Sequence, residues 1–530
     1  MSSTEESKTA STAAESISKS YGELLTKLQT ITQIERAKAV LEYDQMCFMP
    51  HSDSASVERG AQLAALAGVI HEKKTDKKLL ELIEASIKDL EAANEESKEE
   101  LDDARILLQL EKKSFMENER IPTALASKVA ELSARAHTAW VKARKASDFP
   151  AFAPVLQECF DTACDVAKAK RGDATDIPVY TQMLDEYEMG MPKSRIDDVF
   201  AEIQSALVPL ISKVLGNEDK APSTQPKRAP EGKTFDIDKQ KELSQKIVKT
   251  IGFDDSIGRI DVSVHPFTTS FSPSDVRITS RFRDDEWYQG LAGSIHEGGH
   301  ALYEQNLKNS ATSLDTALSM GTHESQSLFW ERHVGLSKPF WKWATPLLKE
   351  AFGEDYNYTP EEVYGAVNAV SQSFIRVEAD ELTYPLHVIL RYNIETDVIS
   401  GNLKVEDIPA RWNKDMKDLL NVDVPSDDKG CLQDVHWSAL AFGYFPTYLI
   451  GSSCAAQLAH YCKVDIPEMD ELIEKGEFAK IKEWLTKKVH SHGKRYKSLD
   501  ALLTEQLGEP LNPKYCINYL TTKYSDLYQL

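Results

Sequence analysis

The strongest constraint on this chain's fold is a helical period that runs through nearly all of it and gives way in one stretch to a strand-like texture. Tyr21 to Tyr43 places Leu24, Leu25, Leu28, Ile31, Ile34 and Leu41 at the spacing of one apolar helix face. Pro50 interrupts the pattern between Met46 and Ser54. It resumes over Ala55–His71, Lys77–Ala93, Ala104–Phe115, Ala124–Ala146, Phe149–Lys170, Ser194–Leu215 and Phe235–Ile251. Between Asp261 and Arg283 the texture changes. Val262, Val264, Phe267, Val276 and Ile278 stand among Thr and Ser, with turns at Pro266 and Pro273. That stretch predicts two or three short strands, a small hairpin or sheet. Helices return from Glu286 to the end. The expected class is therefore all-α with a small β element, in one large body without a clean internal boundary.

Two stretches fall outside that body. Met1 to Lys19 is rich in Ser, Thr, Glu and Ala, lacks an apolar core and contains acids. It reads as a disordered tail, neither a secretory signal nor a mitochondrial presequence. The domain then spans 20–530. Within it, 216–234 carries Pro222, Pro226 and Pro230 and little apolar content, so a mobile surface loop is expected there. Glu95 to Asp103 is a dense acidic run, read as a solvated helix face or helix start.

The broken stretch leads directly into Ser294-Ile295-His296-Glu297-Gly298-Gly299-His300-Ala301-Leu302-Tyr303-Glu304. On a helix, His296 and His300 lie one turn apart and point the same way. Two imidazoles so placed can share one Zn²⁺, and Glu297 then stands beside the water at the open position. Such a site takes three protein ligands. Glu324, 24 residues past His300, opens another helical pattern in Thr322-His323-Glu324-Ser325-Gln326 and would complete His-His-Glu. Glu331, further along the same face, is the rival, and His323 is a third option.

Charge and cysteine content narrow the function classes. The net charge is −22, which argues against nucleic-acid partners, since phosphate contacts need clustered Lys and Arg. No run of about 18 apolar residues exists to span a membrane. The seven cysteines are irregularly spaced and include no Cys-x-x-Cys pair, as expected of reduced thiols in a cytoplasmic protein.

Further ordered signatures accompany the metal motif: His265-Pro266-Phe267; Asp275-Val276-Arg277-Ile278-Thr279; His323-Glu324-Ser325-Gln326; Ile375-Arg376-Val377-Glu378-Ala379-Asp380; and Gly430-Cys431-Leu432-Gln433-Asp434-Val435-His436-Trp437. With them, the chain resembles the thermostable carboxypeptidase Taq family of zinc metallocarboxypeptidases from about residue 20 onward. The resemblance implies a neurolysin-like helical body with a deep substrate groove, the metal at its floor, and a homodimer. It implies release of single C-terminal amino acids from peptides with broad specificity. It carries His296, His300 and Glu324 over as metal ligands and Glu297 as the catalytic acid/base. Co²⁺ is expected to substitute for Zn²⁺.

The chemistry also needs an oxyanion donor, for which His436, Tyr444 and Tyr448 are candidates. An exopeptidase needs a cation for the terminal carboxylate. Arg376 and Asp380 are four apart in a helical pattern with Val367, Val370, Phe374 and Leu382. Asp380 would then orient the Arg376 fork, and the plain alternative is a surface ion pair. Arg277, which would share a strand face with Asp275 and Thr279, is next in line for the carboxylate. It could equally pair with Asp275. His265 either reaches the site or pins the hairpin, and His387 reads as packed. Two rival functions remain: a zinc oligopeptidase cutting internal bonds, and a helical binding protein. The intact Glu297 argues against the second, because a structural metal site has no use for a general base.

Overall fold

The structure, a computed structural model, describes residues 18–92, 98–354 and 356–530. Most of the expected tail and residues 95–97 of the acidic run lie outside them. Helix α1 (Lys19–Cys47) begins where Ser18 accepts a hydrogen bond from the Tyr21 amide, capping its first turn. It packs with the helices Lys77–Glu91 and Lys98–Glu119 around Tyr21, Leu24, Leu28, Leu82, Ile83, Leu107 and Phe115, a cluster separate from the main core. Asp103, at the end of the acidic run, joins this group to the body through Arg495 at 2.8 Å.

The expected strands form one three-stranded sheet: β1 (Gly258–Val262), β2 (Thr268–Ser272) and β3 (Asp275–Ser280), ordered β1-β3-β2. β3 runs parallel to β1 and antiparallel to β2, with a bulge between Ser270 and Ser272. Alternation sends Val276 and Ile278 inward onto Val248, Phe253 and Ala301. The sheet thus rests on helix α2 (Tyr288–Gln305), which carries the His-Glu-x-x-His motif.

Helix α3 (Met320–Leu328) follows, capped by Ser319, and passes into a π-helical stretch over Phe329–Gly335. The chain later contributes α4 (Tyr384–Ile399), α5 (Pro446–Asp465) and α6 (Lys514–Tyr528). Two glycines let these helices approach backbone to backbone. A Cβ on Gly299 of α2 would stand 2.6 Å from the Ser327 Cα, and one on Gly451 of α5 would stand 2.7 Å from the Cβ and Cγ of Glu324. Both distances are shorter than van der Waals contact, so α2, α3 and α5 can stack only because those side chains are absent.

The 216–234 stretch makes more contacts than its composition suggests. Pro226 is buried, and its carbonyl accepts from Trp287 Nε1 at 2.8 Å and from the Tyr356 hydroxyl at 3.1 Å. The Ala229 amide donates to the Asp285 carbonyl. These bonds pin the second half of the stretch beside the start of α2.

Candidate metal centre and active site

His296, His300 and Glu324 converge so that one ligand atom from each lies within 4.8 Å of the others. The Nε2 atoms of His296 and His300 stand 3.8 and 3.4 Å from Glu324 Oε2. Their other ring nitrogens are taken from behind: His296 Nδ1 meets Glu331 Oε2 at 2.6 Å, and His300 Nδ1 meets the His323 carbonyl at 3.1 Å. This orients both rings and turns each Nε2 toward the same point. Two imidazoles and a carboxylate aimed at one point are a donor set that fits a divalent transition metal. The rival ligands Glu331 and His323 both lie outside the convergence. Glu331 is the outer carboxylate of His296. The His323 ring stacks on His300, centroids 4.2 Å apart, with its Nε2 on Glu304 at 3.1 Å.

The electrostatics follow from this packing. Burial opposes the charge on Glu324, but His296 and His300 outweigh it and hold its pKa down, at about 2. Burial also disfavours a charged His296, yet Glu324 and Glu331 keep its pKa up, at about 10. Burial and the neighbouring His323 push His300 down to about 4. Glu297 is 7% exposed. Thr268 of β2 donates to its Oε2 at 2.6 Å and to its carbonyl at 3.0 Å. Burial raises its pKa, against the pull of His296 and Thr268. The sheet thus contributes directly to the site by fixing one carboxylate oxygen.

His436 and Tyr448 meet, Nε2 to hydroxyl, at 3.2 Å. The imidazole is enclosed, its Nδ1 has no partner, and burial lowers its pKa to about 4, so it is neutral at pH 7. Tyr444 packs edge-on against both Tyr448 and Tyr187, with centroids 5.5 and 5.0 Å away. The Tyr448 ring also lies under the Arg376 guanidinium, 4.6 Å from its centre.

Arg376 is buried, but neither its expected partner nor its expected helix is found. The chain forms only a 3₁₀ turn at Arg376–Glu378. Asp380 accepts from the amides of Ser371, Leu382 and Thr383, so its side chain bonds the backbone instead of the arginine. The partner is Asp434, from the Gln-Asp-Val-His-Trp stretch. Its Oδ1 lies 3.1 Å from Arg376 Nε, and its Oδ2 lies 2.6 Å from Nε of Arg391. Gln433 Oε1 accepts from the Arg376 amide and from Arg391 Nη2. Burial works against charge on Asp434, but the two guanidiniums hold its pKa well below the usual carboxylate range. The hydroxyl of Tyr384 accepts from Arg376 Nη1 at 3.1 Å.

Two further expected residues take structural positions. Arg277 pairs with Asp275 at 2.9 Å and lies over the rings of Phe271 and Tyr43, 4.8 and 5.2 Å from their centres. Thr279, expected beside them on an open strand face, is fully buried and bonds Ser263. His265 is exposed, while its neighbours Pro266 and Phe267 pin the hairpin, Pro266 against Gly293 and Phe267 against Thr279. His387 is packed, as expected, with neither ring nitrogen bonded. Sequence reasoning missed Tyr384, Arg391, Glu395 and Arg332. Glu395 accepts from the Tyr180 hydroxyl, Trp437 Nε1 and the Gly443 amide, tying together the segments that flank His436 and Tyr444.

A helical body with a His-Glu-x-x-His helix, a carboxylate from the next helix and a glutamate beside both imidazoles defines a metallopeptidase of the gluzincin type. The family model of the carboxypeptidase Taq (M32) metallopeptidases matches residues 23–524. The chain is 38% identical to carboxypeptidase 1 of Bacillus subtilis over 506 residues, covering 95% of this chain and 97% of that one. It is 34% identical to thermostable carboxypeptidase 1 of Pyrococcus furiosus over 505 residues, with 95% and 98% covered. The crystal structure of the M32 carboxypeptidase from Deinococcus radiodurans R1 superposes with a TM-score of 0.90 at 31% identity, covering 96% of this chain and all of that one (100%). The chain belongs to the carboxypeptidase Taq (M32) metallopeptidase family. It is a metal-dependent peptide hydrolase of the carboxypeptidase type, and the internally cutting oligopeptidase gains no support.

Proposed function

We propose that the chain removes single amino acids from the C-terminal ends of peptides, with Zn²⁺ held by His296, His300 and Glu324 in a deep substrate groove. The observation that carries this reading is the convergence of those three donors beside a buried Glu297. A divalent ion there supplies Lewis acidity, polarising a carbonyl and lowering the pKa of water. Co²⁺ suits the same imidazole and carboxylate donors.

The chain's own groups then have distinct tasks. Thr268 occupies Glu297 Oε2, leaving Oε1 to take a proton from the attacking water and return it to the leaving amine nitrogen. Neutral His436 and the Tyr448 hydroxyl, 3.2 Å apart, offer donors to the carbonyl oxygen as it gains negative charge. Tyr444 supports the Tyr448 ring from the side. Arg376 presents its remaining N–H groups to the substrate's terminal carboxylate, held in place by Asp434 and Tyr384. That places the last peptide bond over the ion and rejects internal bonds.

A cytoplasmic homodimer of one domain spanning 20–530 completes the proposal. All seven cysteines are free, and no helix among the described residues is long and apolar enough to cross a membrane. Sedimentation at assay concentration tests the dimer. The central test is a mass spectrum of one peptide incubated with the enzyme. A C-terminal ladder supports the proposal, and internal fragments refute it. Glu297→Gln should retain the ion and the fold yet lose nearly all turnover.

A further inference from the structure

Glu395, on α4, is fully buried, and no cation among the described residues pairs with it. Arg391, one turn earlier on the same helix, is engaged by Asp434, Gln433 and the His387 carbonyl. A buried carboxylate without a counter-ion is a costly way to fill space, and glutamine would fill it with the same shape. Glutamine cannot, however, accept hydrogen bonds at both ends of its head group. Glu395 Oε1 accepts from Trp437 Nε1 at 2.8 Å, and Oε2 accepts from the Tyr180 hydroxyl at 2.7 Å and the Gly443 amide at 3.0 Å. The indole and the amide can only donate there, so the position calls for a carboxylate. Burial raises the pKa of Glu395 to about 7 against the pull of those three donors, so it is charged at pH 8.

What the carboxylate holds lies beside the chemistry. Trp437 directly follows His436, and Gly443 directly precedes Tyr444. Glu395 thus grips both ends of the stretch that joins the proposed oxyanion donors. That stretch has little regular structure to keep its shape. It makes one 3₁₀ turn at His436–Ala439 and then passes through two left-handed residues, Leu440 at φ 57° and Gly443 at φ 84°. Leucine takes that conformation only where its surroundings impose it. At Gly443 the space is also closed, since a Cβ would stand 3.1 Å from the Leu184 amide nitrogen. His436 has one hydrogen bond of its own, to Tyr448, and its Nδ1 has no partner. The metal-site imidazoles are each held from behind through Nδ1, but the aim of His436 depends on where Trp437 fixes the backbone and on its packing against Phe445, with centroids 4.4 Å apart.

We propose that Glu395 is a positioning residue for peptide hydrolysis: by tethering Trp437 and Gly443 it sets the place of His436 and, with it, of the donor pair that His436 forms with Tyr448. This rests on the reading of those two groups as oxyanion donors above. The test uses the full-length, metal-loaded enzyme at pH 8, with kcat expressed per bound ion. Glu395→Gln keeps the shape and removes one acceptor. It should lower kcat by about 10²-fold, as a displaced catalytic group does, while KM and metal content stay within about twofold of the unaltered enzyme. Binding of a phosphonate peptide analogue, whose tetrahedral oxygens mimic the attacked carbonyl, should weaken in parallel with kcat. In a His436→Ala background the same substitution should cost less than about threefold, because the group it positions is gone. Should Glu395→Gln fail to fold, Trp437→Phe, which keeps the carboxylate and removes one tether, should still lower kcat about tenfold at unchanged KM. A Glu395→Gln enzyme with unaltered kcat overturns the proposal. So does a loss of equal size in the His436→Ala background, because the carboxylate would then support the fold at large. A His436→Ala enzyme as active as the unaltered one overturns the oxyanion reading and this role with it. If the unaltered enzyme releases no C-terminal residue, the carboxypeptidase reading itself has failed. If it does so and only the Glu395 variants behave like it, the role of Glu395 alone has.

Discussion

Replacing Arg376 with alanine is informative because the structure separates its effect on the fold from its effect on the substrate. Arg376 is 4% exposed, and in most proteins removing one member of a buried ion pair leaves the other charge stranded at a cost of about 3–5 kcal/mol. Here Asp434 keeps Arg391 on its second oxygen at 2.6 Å, so it remains paired. The stability cost then reduces to the lost bonds to Asp434 and Tyr384 and the lost stacking on Tyr448, about 2 kcal/mol. The substrate has no such reserve. A terminal carboxylate that loses its bidentate partner should cost about 3–4 kcal/mol in kcat/KM, or roughly two to three powers of ten. Kinetics on matched peptides with free and amidated C-termini, alongside a urea melt of the variant, give both quantities. Amides are already poor substrates and should lose little more. Arg376→Lys should restore only part of the loss, since an ammonium cannot make the forked contact. Equal losses on acids and amides, or a variant that unfolds, would refute the assignment. The anchor would then have to be sought at Arg332, because Arg277 is committed to Asp275.

The remaining expectations concern the metal, the oxyanion and pH. Glu324→Ala should abolish metal retention on dialysis, whereas Glu331→Ala, which removes only the outer partner of His296, should weaken it by about 10–100-fold. Loss of the ion from the Glu331 variant alone would exchange the two roles. Tyr448→Phe should lower kcat by about 10²-fold, and Tyr444→Phe by far less, because Tyr448 is the one bonded to His436; the reverse ranking in steady-state kinetics would move the donor role to Tyr444. Glu188, buried against the Gly321 amide at the start of α3, has its pKa pushed up to about 8 by burial. An acid whose folded pKa exceeds its unfolded value of about 4.3 is a proton acceptor on folding, so stability falls as pH rises between those values and levels off above them. Thermal melts from pH 5 to 8 should therefore decline, and Glu188→Gln should flatten that decline by an amount on the order of a few kcal/mol.

What the sequence disclosed depended on how local each arrangement is. The two imidazoles and Glu297 lie within one helical turn, so spacing alone places them. Glu324 was legible because it opens the next helix, but spacing could not separate it from Glu331. Both lie on the same helix face and both approach His296, one on each ring nitrogen, and only the packing of α3 against Gly299 decides which carboxylate converges with both imidazoles. Arg376 was legible as a candidate cation and Asp434 was quoted within a signature, yet their pairing was not, because 58 residues separate them. Asp380 misled because a carboxylate four residues on fits a helix. That helix does not form, since the same carboxylate bonds three local amides. Arg332 and Glu395 sit in ordinary helical patterns, where a charged residue reads as solvent-facing. Nothing local distinguishes them from a surface pair.

The close stacking of α2, α3 and α5 yields one more expectation. Gly451 faces Glu324 so tightly that a methyl group there would lie 2.7 Å from both the Cβ and the Cγ of that glutamate. The Cβ is fixed to the backbone of α3 and cannot swing aside, and α3 itself is held by its contact with Gly299. Relief must therefore come from moving α3 relative to α5, which displaces Glu324 from the two imidazoles. Gly298, in the motif itself, provides the contrast. A methyl group there meets Val248 Cγ1 at 3.0 Å, so the displacement it causes falls on Val248, which is not one of the three converging donors. Gly451→Ala should lower metal affinity by about 10-fold or more, whereas Gly298→Ala should stay near the unaltered protein. Metal content after dialysis against a graded chelator separates the two. If Gly451→Ala retains the ion as well as the unaltered chain does, α5 does not set the position of Glu324.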